Sequence, residues 1–100
     1  MTLQEKERFL SEAQSVIAQL DDEFDSHEFI KKYMILYTKS YAEMLLKFKT
    51  FATTHGHIAI ELKRMSKLLK INAVGKKVSP DIFNEMTECE LWFNMNLNKE

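Results

Sequence analysis

Lys63, Lys67 and Lys70 recur at steps of four and three. On a helix of 3.6 residues per turn they fall within about 60° of one another, with Arg64 at their border. Leu62, Met65 and Leu69 take the opposite side of the same pattern, so the cations face solvent. Lys76 and Lys77 follow in the next segment, just before Ser79-Pro80-Asp81, which reads as a helix start. Six cations so placed suit one chemistry above others, the neutralisation of nucleic-acid phosphates. Backbone amides near Gly75 and after Ser79 add anion donors. Ile60 borders the basic face, where it can meet a base edge, a sugar or another subunit. Neutralising six phosphates predicts a log-affinity slope of roughly −5 in log salt.

The other chemistry-bearing residues form poorer sets. His57 and Glu61 share a helix face with His55 close by, but zinc takes three or four ligands with supporting partners. His27 and Cys89, which would complete the set, are remote in sequence, so no metal and no cofactor is expected. Asp21, Glu23 and Asp25 have calcium-loop spacing, yet Ser26 stands where the loop needs glycine and Lys32 where it needs glutamate. Gly75-Lys76 lacks the upstream glycine and the following Ser or Thr of a phosphate-binding loop. Cys89 falls on an apolar stripe and reads as a small core residue. With no Ser-His-Asp signature, paired carboxylates or glycine-rich loop, an enzyme is not expected. Tyr33, Tyr37 and Tyr41 sit at four-residue steps among Lys31, Lys32 and Lys39. They can stack bases, but the core-facing edge of a helix accounts for them more simply.

These residues lie in a chain of 100, with a net charge of −1 that conceals a polarised pattern. Residues 1–30 hold two basic and eight acidic groups; residues 31–77 hold eleven basic groups against Glu43 and Glu61. Residues 78–100 hold Lys99 against five acids. A basic middle between acidic flanks either presents a field to a partner or is neutralised within the fold. The 45% hydrophobic content and 11% aromatic content suit one folded domain over 1–100 rather than a disordered chain. One cysteine excludes an intrachain disulfide and suits a reducing cytoplasm. No apolar run approaches the ~18–20 residues of a membrane span, and Met1–Glu7 lacks a signal peptide's apolar centre.

Two glycines and one proline leave few turns, so the expected fold is all-α, a small bundle of four to five short helices. Thr2 and Glu5 form a capping box for the first helix, with Leu3, Leu10, Ile17 and Phe24 as its stripe and Ala13, Val16 and Leu20 filling it. Asp25 or Ser26 caps a second helix reaching about Phe48, with a break near Lys39-Ser40. Thr53–His57 connects to a helix over 57–70, and residues 72–78 form a loop or a small hairpin, with Gly75 able to take positive φ. Ser79-Pro80 opens a last helix with the stripe Ile82, Met86, Cys89 and Phe93, and the tail from Asn94 frays. The C-terminal half is thus expected to be a helix-loop-helix.

On these grounds the sequence points to a small, non-catalytic, cytoplasmic accessory protein. It would bind duplex DNA through backbone phosphates, with Lys63, Arg64, Lys67, Lys70, Lys76 and Lys77 as contacts. The layout is helix-turn-helix-like, but the connection from Ile71 to Val78 is longer than a tight turn and the second helix is acidic at Asp81, Glu85, Glu88 and Glu90. The alternative is a protein–protein adaptor or inhibitor that uses the dipolar charge pattern to steer its partner. The amphipathic first helix also allows a homodimer by exchange.

Overall fold

The computed structural model describes residues 1–96. Its order is α1 (Leu3–Ile17), β1 (Glu23–Asp25), α2 (Ser26–Leu36), α3 (Thr38–Phe48), α4 (Phe51–Arg64), α5 (Ser66–Leu69), β2 (Ile71–Pro80) and β3 (Met86–Asn94). The expectation of an all-α bundle is therefore wrong. Five helices pack on a three-stranded antiparallel sheet of order β1-β3-β2, and the C-terminal helix-loop-helix is a β-hairpin.

Two helix starts follow the sequence signals. Thr2 and Glu5 exchange hydrogen bonds at the head of α1, and Asp25 and Glu28 do the same at the head of α2. The α1 stripe agrees with the expected one in its middle and departs from it at both ends. Ala13, Val16 and Ile17 are buried as expected, but Phe9 joins them, Leu3 is 74% exposed, and Phe24 lies in β1. The break after α2 falls at Tyr37, before the expected Lys39-Ser40. There Thr38 Oγ1 donates to the carbonyls of Met34 and Ile35, a local bond that competes with the regular helix. The stretch Thr53–His57, expected as a connection, is helical. Thr50 is the cap, its Oγ1 accepting from the Thr53 amide. The helix expected over 57–70 is two pieces, α4 and α5, parted at Met65 and ended by Lys70 at φ 57°.

The hairpin arises where helix signals and turn signals use the same residue types. Ser79-Pro80-Asp81 ends a strand, and the Asp81 Oδ1 accepts from the amides of Phe83 and Glu85 to make a tight turn, with Asn84 at φ 67°. Beyond it the four-residue stripe gives way to alternation. Trp92 and Asn94 are buried, while Phe93 between them is exposed. In β2 the register jumps between Ala73 and Gly75, a bulge accommodated by Gly75 at φ 147°.

The core joins Phe9, Phe24, Phe29, Tyr33, Ile58, Leu62 and Trp92. Phe24 and Ala73 flank Trp92 on neighbouring strands, and the Trp92 indole donates to Ser26 Oγ at 3.1 Å. Asn94, where fraying was expected to begin, is fully buried. Its Nδ2 donates to the carbonyls of Ile17 and Asp21 and so satisfies the C-terminal end of α1. Residues 97–100 of that expected tail lie outside the described residues. Among the described residues, every buried side-chain polar atom has a hydrogen-bond partner, and no helix is long and apolar enough to cross a membrane.

Candidate functional site

Helix α4 runs beside the β2–β3 hairpin, and the two are bridged at both ends of a trough. At one end Phe51, at the start of α4, meets Phe83 of the hairpin turn edge-to-face, with ring centroids 4.9 Å apart. At the other, Lys63 of α4 and Lys76 of β2 each place Nζ 3.2 Å from the same Glu90 Oε1. Between the bridges lies a groove of about 470 Å³, lined in part by His27, Gly56, Ile60, Thr87 and Cys89. Gly56 leaves it open, since nothing lies within 4 Å of where its Cβ would be.

All six expected contact residues are exposed. The fold brings Lys63 of α4 and Lys76 of β2 together at Glu90, while Arg64 ends α4, Lys67 lies on α5 and Lys70 caps it. Lys77 points the other way, as strand alternation requires, and approaches Asp25 Oδ2 at 3.8 Å. The acidic flanks reach the basic segment. Glu90 holds Lys63 and Lys76, and Asp25 faces Lys77; within the basic segment itself, Glu61 pairs with Arg64 at 3.3 Å. Lys67 and Lys70 have no ion-pair partner among the described residues. Burial raises the Glu90 carboxyl, but its bonds to Lys76 and Lys63 outweigh this and leave it below the usual carboxylate value.

The residues set aside in the sequence also find places. Tyr33 and Tyr41 are buried, so the tyrosine ladder is core rather than an exposed stacking platform. Tyr33 donates to Glu12, which also accepts from Ser40, and burial followed by the Glu12 bond raises the phenol well above its usual value. His55 shares a hydrogen bond with Tyr41 at 2.7 Å, whereas His57 stacks on Phe48 at 3.9 Å. Glu61 is committed to Arg64, so these three do not converge. The fold assembles a different group, Asp25, His27 and Cys89, whose ligand atoms lie within 4.8 Å of one another. Its members are far apart in the chain, so spacing could not reveal it. The chain matches no family model, no curated protein and no solved structure.

Proposed function

We propose that this protein is a non-catalytic duplex-binding accessory protein that grips backbone phosphate with the α4–α5 edge and the hairpin. One observation carries the reading: two lysines from separate elements converge on a single anionic oxygen, that of Glu90. A phosphate oxygen has the same charge and acceptor chemistry, so Glu90 occupies the position a phosphate would take. Around that point Arg64, Lys67 and Lys70 add positive charge from the end of α4 and from α5, outside the groove, whose lining also carries Asp81 and Glu88.

With Lys77 and Asp25 paired on the other face, the remaining five cations are set against two carboxylates, Glu61 and Glu90, which leaves three positive charges in excess. The expected log–log salt slope is therefore about −3 rather than the roughly −5 of six free cations. The reading is tested by duplex titration of variants. Glu90→Gln frees Lys63 and Lys76, tightening binding by about three- to tenfold and steepening the slope by about 1. Lys67→Ala with Lys70→Ala flattens it by about 2. Lys77→Ala, on the other face, leaves it unchanged. Equal losses from Lys77→Ala and from the Lys67/Lys70 pair would defeat the assignment.

A protein partner is the second reading, supported by Phe83 and Met86, which stand exposed at the hairpin tip. It takes the lead if the protein fails to bind duplex even at low salt.

A further inference from the structure

The geometry points to a divalent transition-metal site, of zinc type, formed by Asp25, His27 and Cys89 on the side of the hairpin nearest the head of α2. The three donors are a carboxylate, an imidazole and a thiol, and their ligand atoms already lie within 4.8 Å of one another. Zinc binds such donors at about 2.0–2.3 Å in a tetrahedron, which separates them by roughly 3.3–3.8 Å. Small side-chain rotations close that gap. Carboxylate and thiolate together supply two negative charges, which one divalent ion neutralises, and the mixed sulfur, nitrogen and oxygen set suits zinc or cobalt better than magnesium or calcium.

Three features of the surroundings fit an ion. Asp25 Oδ1 is used as the α2 cap, accepting from the Glu28 amide at 2.9 Å. Its Oδ2 has no hydrogen bond among the described residues and pairs with Lys77 at 3.8 Å, on a side chain that is 2% exposed. An ion at this oxygen takes the place of the long Lys77 pairing, and Lys77, half exposed, turns to solvent. His27 is oriented by hydroxyls, with Nδ1 2.8 Å from Ser79 Oγ and Nε2 3.2 Å from Thr87 Oγ1. Ser79 Oγ is also 3.7 Å from Cys89 Sγ, so Nδ1 lies on the thiol side. When Nδ1 takes the metal, the Ser79 hydroxyl yields its place, and Nε2–H donates to Thr87, the outer bond that metal-binding histidines usually make. His27 and Cys89 also line the groove, which gives an ion its way in. An open fourth position falls to water. The ion would tie the start of α2 to β1 and to β3, fastening the hairpin to the helical layer.

Cobalt(II) added to the purified full chain tests the site. The expected result is a thiolate-to-cobalt charge-transfer band in the near ultraviolet, displaced by zinc, with zinc also raising Tm. Cys89→Ser removes the band. His27→Gln and Asp25→Asn each weaken cobalt binding at least tenfold, and asparagine keeps the α2 cap, so Asp25→Asn separates ligation from folding. Thr87→Val weakens binding by about 10–100-fold through the outer bond. The site is refuted if folded protein at saturating cobalt shows no thiolate band, or if the band survives His27→Gln and Asp25→Asn at unchanged affinity.

Discussion

Lys63 and Lys76 lie on different elements, and their meeting at Glu90 is a property of the fold that no spacing rule contains. What the sequence did show at residue scale was local: the capping pairs Thr2–Glu5 and Asp25–Glu28, and the solvent exposure of the basic side chains. Long-range partners were hidden, including the Tyr33–Glu12–Ser40 network. Tyr33→Phe removes a hydrogen bond to a charged acceptor and should cost about 1.5–3 kcal/mol in denaturant unfolding. His55 offers a pH test. Burial holds its imidazole below the ordinary value of 6.5, with Asp81 opposing and His27 reinforcing that shift. The unfolded chain therefore takes up the proton more readily than the folded one. Stability contributed above pH 6.5 should fall as pH drops from there toward the lower folded value. Unfolding curves of His55→Gln should lack that part of the decline.

At the scale of elements, the helices were legible and the sheet was not. Amphipathic helix patterns repeat over many residues, whereas Ile82, Met86, Cys89 and Phe93 mimic helical steps in a segment that alternates. Serine, proline and aspartate open helices and also close strands, and here Asp81 made the turn. The two glycines show how differently one residue type can act. Gly75, expected to take positive φ, does so at the bulge in β2. Gly75→Ala should lower stability by about 1–3 kcal/mol, because alanine is strained there whatever the free space. Gly56, expected in a connection, lies inside α4 with open space around it. Gly56→Ala should raise stability by about 0.5–1 kcal/mol by lowering the cost of ordering the helix. Thermal unfolding of the two variants should move in opposite directions.

Across the whole molecule, the polarised charge pattern visible in the sequence becomes a partly neutralised surface. The C-terminal acidic segment folds back as β3 and sets Glu90 between two lysines, and β1 delivers Asp25 to Lys77. The first helix, whose amphipathic pattern allowed exchange between copies, docks in its own chain through Phe9, Ala13, Val16 and Ile17. Neutralisation leaves Lys67, Lys70 and one shared charge at the Lys63–Glu90–Lys76 bridge, and this count is the account's central claim. The most direct test is fluorescence anisotropy of a labelled mixed-sequence duplex titrated with the wild-type protein over a series of salt concentrations. Binding should weaken with a log–log slope of about −3. Absence of binding at low salt, or an affinity indifferent to salt, would contradict the account.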